Sequence, residues 1–228
     1  MRAIKTAMSR ATSHGFSACL LSLILVVACS SSDDRAFRIA VKDALVRVAL
    51  FQDHMEDLEV RTYFGNPEFE QRAARAIAVA DSFKTAVVNL PHPTSKNLRF
   101  VAVSLGVVGE TAADVVTKSI EEGRVGFRYV EYLQWHRWNS PAESTETMKR
   151  YRESFLALQE RLDGERRLSL QIARMAAIER QVLGSSIIRD HLLTLATAHG
   201  DERMNSSATD SLIEAQGAIV KIQLSEFR

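Results

Sequence analysis

From Asp33 onward the apolar residues of this chain fall mostly at alternating steps of four and three, and no segment shows the period-two alternation of a half-buried strand. The first stretch runs Phe37, Val41, Ala44, Val48, Phe51, Met55 and Leu58. That spacing keeps one stripe turned toward a partner helix along the whole segment. Leu45 and Leu50 widen the stripe, which suits a bundle better than an isolated two-stranded coil. Asp33 and Asp34 suit the positive end of the helix dipole. A chain patterned in this way buries its apolar surface helix against helix, so an all-α fold is predicted.

Punctuation is sparse, with four prolines and ten glycines in 228 residues, and it divides the chain into five or six helices. The first is expected to stop near Tyr63-Phe64-Gly65. Asn66-Pro67-Glu68 then supplies an N-cap, a proline at the first helical position and an early acid. The second stripe is Phe69, Ala73, Ala76, Ala80, Phe83, Val87 and Leu90, ended by Pro91-His92-Pro93 because proline lacks a backbone donor. A third helix from Thr94-Ser95 carries Leu98, Val101, Leu105, Val108, Ala112 and Val115, and drifts at Ser119 and Ile120. Gly106 and Gly109 suggest close helix contact, and a break or kink is predicted near Gly123. Ser140-Pro141-Ala142-Glu143 is a capping box with proline just inside it. Met148, Tyr151, Phe155, Leu158 and Leu162 follow as an expected core stripe. Beyond an expected bend at Asp163-Gly164 come Leu168, Ile172, Met175, Ile178 and Val182. The pattern weakens at Gly184-Ser185-Ser186 and returns at Ile188, Leu192 and Leu195, with an end at His199-Gly200. A last helix holds Ile213, Gly217, Val220, Leu224 and Phe227. Helices of roughly 25–30 residues, about 40 Å long, joined by short connections predict an elongated up-and-down antiparallel bundle.

Ahead of this body lies a different segment. Arg2, Lys5 and Arg10 precede an apolar run from Ala18 to Val27, interrupted by Ser22, and a small residue and a cysteine close it. These are the parts of a secretory signal peptide, and the run is about half the roughly 20 residues that span a bilayer. Val26-Val27-Ala28-Cys29 resembles the lipobox of bacterial lipoproteins, with Val26 where leucine is more common. The resemblance covers the targeting segment alone. It implies cleavage between Ala28 and Cys29, a diacylglyceryl group on the Cys29 sulfur and often an acyl (palmitate-type) chain on the new amino group. Two or three acyl chains hold a protein firmly on a membrane, where one binds marginally. Ser30 in place of an aspartate after the cysteine implies the outer rather than the inner membrane. Residues 29–34 read as a short tether and 35–228 as a single helical domain facing the periplasm.

Loss of residues 1–28 removes Arg2, Lys5 and Arg10, taking 29 basic residues to 26 against 28 acidic, a balance of −2. That near-neutrality argues against nucleic acid as a partner. Cys19 leaves with the leader and Cys29 carries lipid, so the mature chain forms no disulfide and depends on packing. A signalling receptor is disfavoured, since no second apolar span is evident to carry a signal inward.

Catalytic constellations are missing from the sequence. None of His54, His92, His136, His191 and His199 follows a glutamate by three positions, and neither His-Glu-x-x-His nor Cys-x-x-Cys-His occurs. No Gly-x-Ser-x-Gly is present. The expectation is therefore no catalytic residue, no metal and no cofactor besides the lipid on Cys29.

One segment stands apart. Arg124, Arg128, Tyr129, Tyr132, Trp135, Arg137 and Trp138, with Phe127, gather both tryptophans of the protein among arginines. Aromatic residues with arginine are what binding hot spots favour. Three readings stay open: bulky residues filling the end of the bundle, a face for a protein partner, or a surface for lipid headgroups or glycan. Two functions follow. One is a membrane-tethered, non-catalytic binding or scaffold module, an immunity-type inhibitor of a periplasmic toxin being its more specific form. The other is an envelope enzyme or small-ligand binder with its site between helices.

Overall fold

A computed structural model describes residues 31–61, 68–135, 141–199 and 206–228, and among these the fold is an all-α helical bundle without strands. Its helices are α1 (Ser32–Arg61), α2 (Glu68–Val88), α3 (Lys96–Trp135), α4 (Pro141–Ile178), α5 (Ile187–His199) and α6 (Ser206–Glu226). The predicted uniform length does not hold: α3 has 40 residues and α4 has 38, whereas α2 and α6 have 21 each and α5 only 13. At about 1.5 Å per residue the α3–α4 hairpin is close to 60 Å long. The leader, Cys29, and the stops and starts read at 62–67 and 136–140 lie outside the described residues.

Two polar staples fix the arrangement of the chain. Ser31 caps α1, its Oγ accepting from the Asp34 N–H at 3.1 Å. Ser32–Asp34, read from the sequence as tether, are thus the first turn of α1. Asp34 reaches across to the start of α3, where its Oδ1 accepts from the Thr94 N–H at 2.7 Å and the Ser95 N–H at 3.1 Å. Its acid therefore serves the dipole of α3 as well as that of α1. Starting side by side, α1 and α3 run parallel, with α2 returning between them. The second staple is Glu179, a fully buried side chain. Helix α4 ends in a π-turn, Glu179–Leu183, followed by Gly184 at φ 69°, a left-handed position that suits glycine. The Glu179 carboxylate then accepts from the Ile187 N–H at 2.5 Å, the Ile188 N–H at 3.0 Å and the Ser185 hydroxyl at 2.7 Å. It satisfies donors that the first turn of α5 leaves orphaned.

The core runs through all six helices but occupies only part of the hairpin. Phe37, Leu45 and Phe51 of α1 meet Phe83 of α2, Leu98 to Ile120 of α3, Leu168 to Ile178 of α4, Ile188 of α5 and Val220 of α6. Phe51 and Phe83 pack edge to face, their centroids 5.0 Å apart. Helix α3 runs through Gly123 without the break that was one form of the prediction there. A Cβ there would stand 2.8 Å from the Phe69 ring, so this glycine admits α2 rather than ending α3. Gly109 does the same for Phe83 at 3.1 Å, while Gly106 has nothing within 4 Å. Helix α4 likewise continues through Asp163-Gly164, where a bend was expected, and buried Gly164 lies against Val115 of α3.

Helix α3 also corrects the reading that a second apolar span is absent. An 18-residue window of it has mean hydropathy 1.5, long and apolar enough to cross a membrane by length and composition, with 44% of that window buried inside the fold.

Candidate binding face on the α3–α4 hairpin

Among the described residues the hairpin stands alone beyond the reach of α2 and α6, and here the expected core stripe of α4 fails to be core. Met148, Tyr151, Phe155 and Leu162 are each about half exposed. The positions that α4 buries nearby are Thr147, Arg161 and Gly164, small or polar residues one step round the helix. Arg161 is 8% exposed and lies between Glu165 at 2.7 Å and Glu122 of α3 at 3.7 Å. Pairing through small and charged groups brings the two helices together while leaving the larger apolar side chains turned outward.

The sequence-predicted face divides accordingly. Arg124 pairs across to Glu70 of α2 at 3.2 Å, at the margin of the body. Arg128 donates to the carbonyl of Arg124 at 3.4 Å. Tyr129 lies against Tyr151, ring centroids 6.1 Å apart, and Tyr151 stacks on Phe155 at 6.2 Å. Tyr132 donates to the Glu143 carbonyl at 3.4 Å and receives the Arg150 guanidinium over its ring at 4.6 Å. Trp135, at the end of α3, is 78% exposed. Arg137 and Trp138 lie outside the described residues. Sequence reading gathered the α3 half of this face and missed the α4 half, because Tyr151 and Phe155 carry a legitimate core spacing. A signal was present in Thr147, Ser154 and Gly164, which mark a close helix contact on an adjacent stripe.

Concave features among the described residues include two open surface grooves. One, of about 480 Å³, lies between α2 and α3 and is lined by Glu70, Ile77, Thr117, Glu121, Arg124 and Arg128. The other, about 430 Å³, is lined by Glu110, Asp114, Leu170 and Arg167. In each a carboxylate already faces a cation, Glu70 with Arg124 and Asp114 with Lys118 and Arg167. Among the described residues no group of three His, Cys, Asp or Glu side chains could hold a metal ion. His191 directs Nδ1 at its own helix, to the Ile187 carbonyl at 3.0 Å.

Electrostatic perturbation falls on the staples rather than on either groove. The Ser95 N–H, more than the Thr94 groups and against the effect of burial, holds the carboxyl of Asp34 below the usual carboxylate range. The Arg189 guanidinium does the same to Asp210, with two contacts of 2.5 and 2.7 Å that tie α5 to α6. Such a fork-to-fork pair fixes geometry between helices. Shifts at structural hydrogen bonds and ion pairs do not by themselves mark a catalytic centre.

No known protein family, characterised protein or solved structure matches this chain.

Proposed function

We propose that this chain is a lipid-tethered cell-envelope module that binds a protein partner through the α3–α4 hairpin. The observation that carries the reading is the separation of its two ends. Ser31 bonds to Thr94 at the start of α3, its Oγ 2.8 Å from the Thr94 Oγ1, and Trp135 lies at the other end of that helix, about 60 Å away. Cys29 is two residues from Ser31, a stretch that spans at most about 7 Å of chain. A lipid on Cys29 would hold the helix-start end of the body at the membrane. The hairpin carries the exposed aromatic and arginine side chains away from that point. Partner binding is favoured by a large, desolvatable aromatic surface with directional donors, and the immunity-type inhibitor is its specific form. The outer membrane remains the favoured address on the residues that follow Cys29. An enzyme or small-ligand binder is the second reading, and the groove between α2 and α3 is a candidate location for it.

The test is mass spectrometry of the N-terminus together with membrane fractionation. Wild type should yield a chain beginning at an acylated Cys29 in the membrane fraction, and Cys29→Ser should lose both properties. An intact leader on an unmodified Cys29 sinks the tether. For the partner, Trp135→Ala should remove a protein that co-purifies with wild type, and identical recoveries would count against the hairpin face.

A further inference from the structure

The parallel helices α1 and α3 start side by side at one end of the bundle, and both start with exposed cations that folding does not reward. Within its first two turns α1 holds Arg35 and Arg38, and α3 holds Lys96 and Arg99, all four exposed. A helix dipole favours acids at its start and disfavours cations there. Yet α3 has no acid in its first turn. Helix α1 has Asp33 and Asp34, but Asp34 is buried and engaged by the Thr94 and Ser95 N–H groups. Asp33 is thus the exposed acid set against four cations in these turns. Helix α6 adds Glu226 and Arg228, of opposite sign, beside Phe227, whose ring packs on Phe100 at 5.2 Å. Farther along the same two helices Arg47, Lys118 and Arg124 each meet an acid, at 2.7, 3.0 and 3.2 Å. Among the described residues Arg35, Arg38, Lys96 and Arg99 form no ion pair. Helix side chains lean toward the N-terminus, so all four project toward the end of the bundle.

We infer that this end is a contact surface for anionic phospholipid headgroups, on which the body stands. Position and charge select the occupant. Ser31 adjoins Thr94, their hydroxyl oxygens 2.8 Å apart, and Cys29 and the apolar run lie immediately ahead of Ser31 in the chain. The membrane-seeking part of the chain therefore attaches where the unpaired cations gather. Basic residues within a Debye length of an anionic bilayer are drawn to it, each strengthening partitioning roughly fivefold. Ile39 and Val103 are exposed too, but they follow the cations along their helices, so contact is with headgroups rather than acyl chains. A single acyl chain anchors marginally, and a basic patch is an effective second signal. The patch also orients the body, because α1 and α3 standing on headgroups carry Trp135 about 60 Å away from them. The inference deepens the tethering proposal and rests on it for the side from which the bilayer approaches.

The experiment uses the full chain with Asn97→p-benzoylphenylalanine, an exposed position between Lys96 and Arg99. It is reconstituted into vesicles of phosphatidylcholine, alone or with phosphatidylglycerol as a minor component, and irradiated. Linking to phospholipid should rise at least about fivefold with phosphatidylglycerol. The gain should vanish in about 1 M salt, where the Debye length is about 3 Å. The same label at Trp135 should show no gain. Arg35→Glu/Arg38→Glu should abolish the gain at Asn97, whereas Lys149→Glu/Arg152→Glu, at exposed positions of the hairpin, should leave it intact. Glutamate near a helix start favours the helix, so circular dichroism should show helix content unchanged in the first variant. Equal linking in the two lipids, an equal gain at Trp135, or a gain untouched by Arg35→Glu/Arg38→Glu overturns the inference. Mass spectrometry at Cys29 judges the tether separately. An unmodified cysteine with the gain intact sinks the tether and supports the surface, and an acylated one without the gain does the reverse.

Discussion

Between Met148 and Leu162 helix α4 spaces its apolar residues much as it does between Leu168 and Ile178, yet the first set faces water and the second lies in the core. Residue type does not explain the difference, since Phe155 is as apolar as any core residue. Neighbours do. Among the described residues α4 has α1, α3, α5 and α6 within reach along its second half, and α3 alone along its first. A stripe is a statement of where a helix can be covered, and covering depends on the lengths of the other helices. The same contrast separates Phe83, fully buried, from Phe155, 46% exposed.

That contrast can be broken by mutation. The largest effect is expected for Phe83→Ala, a loss of about 3–5 kcal/mol by urea unfolding, because a full ring and its packing vanish from the core. Phe155→Ala should cost under about 1 kcal/mol in the monomer, in keeping with a position outside the core. Comparable losses at the two sites would show that the hairpin tip is covered in solution. Next, Glu179→Ala should cost about 3 kcal/mol, since it strands buried donors at the start of α5. Hydrogen exchange should show α5 opening first, and uniform loosening would weaken the staple argument.

The glycines sharpen the comparison from the opposite side. Gly123→Ala should destabilise by about 1–3 kcal/mol, because Phe69 must move for the new methyl group. Gly106→Ala, with nothing within 4 Å, should stabilise by about 1 kcal/mol through helix propensity. Thermal midpoints shifting the same way in both variants would contradict the close approach of α2.

The smallest effect is one of pH. Asp34 and Asp210 have folded pKa values below their unfolded ones, so their contributions are complete above about pH 4. They are lost as pH falls through the folded values, when the unfolded chain binds more protons than the folded one. Asp34→Asn should flatten the acid limb of the stability curve below about pH 4. A limb as steep as that of wild type would remove Asp34 from the account.

Much of the fold was legible because helix pattern is local. The stripes of α1, α2 and the first part of α3 became core almost residue for residue, from Phe37 to Phe51 and from Ala73 to Phe83. Three readings share one omission. Gly123, Gly164 and the Met148–Leu162 stripe were judged by what they do to their own helix. Each is governed instead by a neighbour: Phe69, Val115 and, for the stripe, the lack of one among the described residues. The α3 half of the binding face was legible through composition, since arginines and aromatics gather there. The α4 half was not, because Tyr151 and Phe155 sit at positions that a longer neighbouring helix would have buried.

By itself, the sequence determined that this protein is helical, where most of its helices begin, and which stripe of each is apolar, since capping and periodicity act within a few residues. Only the tertiary structure decided that Asp34 caps α3 as well as its own helix, that Glu179 holds α5, and that half of an apolar stripe stays in water. Those outcomes turn on which helices are long enough to reach one another, and that depends on contacts between residues far apart in the chain.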